Sequence, residues 1–110
     1  MTKKYLGKIK SAEYGFISDY PFLMGLKLEF QLGDNGMVGD GGKFTVNMSD
    51  ECEWDSAKQR AEVIAERCDA VYKLLNDAKT SNVSGLKNKP VEVTLEDNCF
   101  KDFRILTEVL

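Results

Sequence analysis

Lys101, Asp102 and Arg104 fall within four residues of one another near the C-terminus, in the stretch KPVEVTLEDNCFKDFRILTEVL. A guanidinium offers a planar fork of donors that matches phosphate or carboxylate oxygens, and a neighbouring ammonium adds a point charge. If a small nucleotide bound here, Arg104 and Lys101 would meet its phosphates and Asp102 or Asn88 would accept its ribose hydroxyls. Tyr14, Phe16 or Phe100 would then stack on the base. The competing use of Arg104 is a cross-strand ion pair with Glu92 or Asp102.

Other chemistries lose their residues. Histidine is absent, which removes the usual member of a catalytic triad, of a His general base and of most zinc sites. The cysteines Cys52, Cys68 and Cys99 are odd in number and form no C-x-x-C pair, so reduced thiols are expected, with Cys68 as a small hydrophobe on a helix face. In the Gly-rich GDNGMVGDGGKF, the Gly-Lys pair is followed by Phe44 rather than Ser or Thr, and the segment is no phosphate loop. Asp34, Asn35 and Asp40 within it miss the calcium-loop spacing and read as hairpin-loop residues. Asp50-Glu51-Cys52-Glu53 matches a capping box, with Asp50 as N-cap and Glu53 reaching back, rather than a metal site. No cofactor and no metal is called for. A carboxylate-only hydrolase is the least favoured class.

The composition bounds the remaining choices. A chain of 110 residues with 43% hydrophobic content suits one domain, residues 1–110, around one modest core. The formal charge of −3 argues against strong duplex nucleic-acid binding, and Lys3, Lys4, Lys8 and Lys10 around Tyr5 read as solubilising charges. No apolar run approaches a membrane span and MTKKYLGKIK has no apolar segment behind its charges, so a cytoplasmic protein without membrane contact is expected.

These residues have to be positioned by elements that the hydrophobic period suggests. Met24, Leu26, Leu28, Phe30 and Leu32 alternate with Gly25, Lys27, Glu29 and Gln31, the pattern of a half-buried antiparallel strand. Phe44, Val46 and Met48 repeat it after the loop GDNGMVGDGG, and the two strands are expected to pair. Tyr5–Lys10 and Ala12–Ile17 read as two shorter strands. From Trp54 through Ala57, Ala61, Ile64, Cys68, Val71, Leu75 and Ala78, steps of three and four predict one long helix with a charged outer face. Pro90 keeps Lys89 out of a helix, and Val83 and Leu86 are expected to tuck onto the core. A closing hairpin turns at Asp97-Asn98, with Val91, Val93 and Leu95 on one face of its first strand. Its return strand is expected to set Phe103, Ile105 and Val109 on one face and Phe100, Asp102 and Arg104 on the other. The fold class is therefore α+β: an antiparallel β-sheet with one long α-helix packed on it and a C-terminal β-hairpin.

In this order of features, and in YLGKIKSAEYGF, VSGLKNKPVEVTLEDN and FRILTEVL, nearly the whole chain resembles a small phage-encoded accessory protein. Most specifically it resembles the phage anti-Thoeris sponge family, which sequesters cyclic ADP-ribose isomers without cleaving them. The resemblance implies a non-catalytic homo-oligomer of β-rich protomers acting in the infected host cell, with cyclic oligonucleotides as further ligands. It carries one residue over, an Arg of the C-terminal hairpin, onto Arg104. Two alternatives stand beside it: a phage inhibitor that binds a host defence protein in an anti-CRISPR-like manner, and a phage single-stranded nucleic-acid-binding protein whose aromatics stack bases.

Overall fold

The computed structural model describes residues 2–17, 20–33 and 36–110. The strands are β1 (Thr2–Ile17), β2 (Tyr20–Leu32), β3 (Gly36–Gly39), β4 (Phe44–Asn47), β5 (Pro90–Glu96) and β6 (Cys99–Ile105), and one α-helix, α1, runs Ala57–Asp77. They form one antiparallel sheet in the order β3-β2-β1-β5-β6, with β4 also paired to β2. An α+β fold with a single long helix and a closing β5–β6 hairpin is what the periodicities predict.

The apolar row of β2 forms the floor of the core. Leu26, Leu28 and Phe30 are fully buried together with Ile9, Leu86, Val91 and Val93. Each such side chain removed from water stabilises the fold by about 1.5–3 kcal/mol. The sheet curls around this row until its far strand meets the β3–β4 side. Phe44 and Phe103 approach to 6.1 Å between ring centroids, and Lys43 Nζ lies 3.2 Å from Asp102 Oδ1.

Two bulges change the reading of single strands. The stretches Tyr5–Lys10 and Ala12–Ile17 are one strand, because the register with β2 shifts between Ile9 and Ser11. Ile9 opposite Phe30 and Ala12 opposite Leu28 both face inward although three residues apart, so Lys10 breaks the period without ending the strand. A second shift, between Thr94 and Leu95, pairs Thr94 with Asp102 and Leu95 with Phe100. Lys101 is the extra residue, and Phe100 turns to the core, 5.7 Å from the Phe30 ring, instead of sharing a face with Arg104. The return strand also stops at Ile105. Val109 lies in a 3-10 turn, Thr107–Val109, and is 65% exposed, not on the inner strand face expected for it.

The helix begins later than the acidic run suggests. Ser56, not Asp50, is the N-cap: its hydroxyl accepts the Gln59 N–H at 3.0 Å, and Gln59 Oε1 accepts the Asp55 N–H at 2.8 Å. Ser56-x-x-Gln59 carries the same capping-box pattern as Asp50-x-x-Glu53, and the later one wins because the linker before it is folded into turns. Trp54 therefore precedes the helix and belongs to that linker. Docking is uneven along α1. Leu74 is its buried residue and Ala78 follows just past its end, whereas Ala57, Ala61 and Cys68 are exposed. The Cys68 thiol is thus a surface group, not the buried hydrophobe the period suggests. Arg67 Nε, donating to the Thr45 carbonyl at 3.3 Å, ties the middle of the helix to β4. Beyond it, Leu86 is buried and Val83 packs against the core, as expected of that segment.

Candidate functional site

The C-terminal cluster that the residue types single out is already paired within the protein. Arg104 Nε donates to Glu92 Oε1 at 3.2 Å, and its two terminal nitrogens donate to the Glu108 carboxylate at 3.1 and 3.2 Å. These hydrogen bonds, Glu108 before Glu92, raise the Arg104 pKa, and the same fork lowers that of Glu108. Lys101 pairs with Glu96 at 3.3 Å, and Asp102 is shared between Lys43 and the Phe103 N–H at 2.8 Å. Asn88 is exposed in a left-handed conformation (φ 71°), and its backbone N–H donates to the Ile9 carbonyl at 2.8 Å. Phe100 is in the core. Tyr14 and Phe16 stand at the far end of β1, 56% and 74% exposed, where they line a hollow of about 90 Å³ with Glu13, Ile17 and Lys27. The seven residues are thus divided among the β5–β6 hairpin, the turn before it, the core and the end of β1 in the β1–β2 hairpin.

A different group does converge, along the outer edge of β2. Antiparallel to β2, β3 lies along Glu29–Leu32 and β4 along Leu23–Leu26, so the two short strands run in one direction with residues 40–43 looping out between them. Asp40 holds this excursion together. Its N–H donates to the Leu28 carbonyl at 3.1 Å, its Oδ1 accepts the Gly42 N–H at 3.2 Å, and its carbonyl accepts the Lys43 N–H at 3.3 Å. Gly41 and Gly42 follow with φ of 66° and 80°, a left-handed pair that side chains would strain. Thr45 closes the turn, its hydroxyl donating to the Gly42 carbonyl at 3.0 Å.

Beside this turn lies an open hollow of about 310 Å³, walled by Ile17, Tyr20, Leu23, Lys27, Asp40 and Thr45 together with backbone of the glycines. Leu23 and Lys27 alternate along β2 with the inward row of Leu26 and Leu28, and Leu28 also lines the hollow. Asp40 is only 6% exposed, and its Oδ2 is buried with no hydrogen-bond partner among the described residues. Burial pushes its carboxyl pKa above the usual 3.8, against the pull of the backbone N–H groups and of Lys27. Chemically, the hollow combines an apolar and aromatic wall with one ammonium, and Asp40, whose carboxylate is buried, stands at its edge.

By sequence Asp40 reads as a hairpin-loop residue, together with Asp34 and Asn35, which lie outside the described residues. Among the described residues no group of three His, Cys, Asp or Glu gathers to hold a metal. Lys27, Tyr20, Ile17 and Leu23 read from the sequence as strand or flanking residues and carry no site signal of their own. The available signal was Asp-Gly-Gly at residues 40–42, a turn in which an Asp side chain caps the backbone two residues on.

At the hairpin tip, Tyr20 and Phe22 stack edge to face at 6.1 Å and are 56% and 44% exposed. Among the described residues, no helix is long and apolar enough to cross a membrane. No protein-family model, curated protein or solved structure matches the chain.

Proposed function

We propose that this protein is a non-catalytic sponge that holds a small nucleotide signal, of the cyclic ADP-ribose or cyclic oligonucleotide type, without cleaving it. The observation that carries the reading is the hollow beside β2, whose buried Asp40 carboxyl, Lys27 ammonium and apolar wall of Ile17, Tyr20 and Leu23 differ from an ordinary solvated sheet face. Its volume is at the small end of ligand pockets, enough for a base and part of its sugar. A base would lie against Tyr20 and Leu23, and Lys27 would meet a phosphate. The resemblance to anti-Thoeris sponges points to the same ligand class and to action in an infected cell. Ligand binding moves in this reading from Arg104, whose fork is engaged by two carboxylates, to Lys27.

Titration calorimetry with cyclic ADP-ribose isomers and cyclic dinucleotides tests it, followed by heating the complex and identifying what is released. Binding that is lost in Lys27→Ala and retained in Arg104→Ala, with the ligand released intact, is expected. Absence of heat with every one of these ligands, or release of a cleaved product, overturns the reading.

A second reading is favoured by the exposed aromatics of the β1–β2 hairpin, Phe16 on β1 and the stacked Tyr20 and Phe22 on β2. Clustered aromatics of this kind suit an inhibitor that docks on a host protein. Phe16→Ser would then abolish activity in infected cells while leaving nucleotide binding intact, and the sponge reading expects that activity to survive.

A further inference from the structure

Asp40 gives the hollow more than a place for a ligand, and the following rests on the sponge reading. We infer that Asp40 Oδ2 is a specificity-determining acceptor that reads one N–H of a nucleobase, and that the bound base carries an exocyclic amino group, adenine or cytosine.

Oδ1 is committed, since it accepts the Gly42 N–H at 3.2 Å and shapes the turn that forms the hollow's wall. Oδ2 of the same carboxylate is shielded from water and has no partner among the described residues. A buried carboxylate oxygen left unpaired is costly, and native proteins tolerate such groups where something else completes them. Asp40 lines the hollow, and the terminal torsion of an Asp side chain is broad, so the carboxylate can turn to bring Oδ2 to a ligand there. Lys27 is the charged neighbour that acts on this carboxyl. An ammonium ligand would meet its repulsion, whereas a neutral N–H donor joined to an anionic phosphate satisfies both groups at once.

One free oxygen also sets how many donors are read. Guanine presents two parallel N–H donors that a carboxylate reads with both oxygens in line, whereas Oδ1 is turned to the Gly42 N–H. An amino group on an otherwise accepting ring edge needs only one. Around it, Ile17, Tyr20 and Leu23 supply a flat apolar wall that takes any base and discriminates little.

The test is binding of adenosine 5′-monophosphate against purine riboside 5′-monophosphate, which differ only in the 6-amino group, by titration calorimetry on the full chain. The wild type is expected to prefer the amino-bearing nucleotide by about tenfold to a hundredfold, the range for a hydrogen bond to a charged acceptor. Asp40→Asn keeps an oxygen for Gly42 and presents a donor in place of Oδ2, so it is expected to lose that preference. Equal binding of the two nucleotides by the wild type overturns the inference and leaves the sponge reading standing. Failure of the wild type to bind either, or any cyclic nucleotide, overturns both. A preference that persists in a folded Asp40→Asn variant also refutes the role of Oδ2, and the comparison between the two nucleotides needs no variant to fold.

Discussion

Replacing Asp40 by Asn should make the protein more stable at neutral pH. The carboxylate is 6% exposed, with one oxygen bonded to Gly42 and the other unpaired among the described residues. Asp40→Asn keeps the bond to Gly42 and exchanges a buried, unpaired charge for a neutral amide hydrogen-bonding group. Leaving a neutral polar group unsatisfied costs about 1–3 kcal/mol and a charged one more, so the exchange is worth about 1–2 kcal/mol. For a chain of this length that is about 4–8 °C in Tm. The dependence on pH identifies the cause. Because burial raises the folded-state pKa above the ordinary 3.8, the native protein binds this proton more tightly than the unfolded chain does. Wild-type stability from this group is therefore fully present below the ordinary value and is lost as pH rises through the folded one. Thermal unfolding of both forms, at neutral pH and again near about pH 3.5, should find the advantage of Asp40→Asn large in the first case and nearly gone in the second. A variant less stable than wild type at neutral pH, or a difference that ignores pH, would mean that Oδ2 is satisfied in the unliganded protein and that its burial carries no penalty.

Gly25, at φ 147° in β2, has no room for a side chain: a Cβ would overlap the Phe44 carbonyl oxygen across the β2–β4 pair. Gly25→Ala is expected to cost more than about 2 kcal/mol in denaturant unfolding and to separate β4 from β2. Ser56→Ala removes the cap on the Gln59 N–H and should cost about 1 kcal/mol, read as a lower unfolding midpoint with the same slope. Glu108 should titrate below its ordinary 4.5 by carboxyl NMR, with the small stabilisation from its pair with Arg104 present above the ordinary value and lost as pH falls; Arg104→Ala should return it to normal. Cys68 is exposed on α1 and should react with a thiol reagent in the folded protein at a rate close to that of the unfolded chain.

Local periodicity by itself determined the large elements. The alternation from Met24 to Leu32, the three- and four-residue steps from Ala57 to Ala78 and the Asp97-Asn98 turn each state a structure within a few residues, because side-chain direction along a strand or helix repeats at a fixed interval. The α+β class follows from them. Tertiary structure alone decided where that interval slips. Nothing local marks Lys10 or Lys101 as the residue without a cross-strand partner, and each bulge moves the side chains beyond it to the other face, Phe100 among them. Partner choice was equally nonlocal. Glu92, Asp102 and Glu108 were all within reach of Arg104 along the chain, and the register of β5 against β6 selected Glu92 while the turn after Ile105 brought up Glu108. The hollow is the extreme case, since Lys27, Tyr20 and Asp40 meet only because two four-residue strands run end to end along β2 and force the chain between them outward. Burial of the Asp40 carboxyl depends on that excursion, and no spacing in the sequence encodes it.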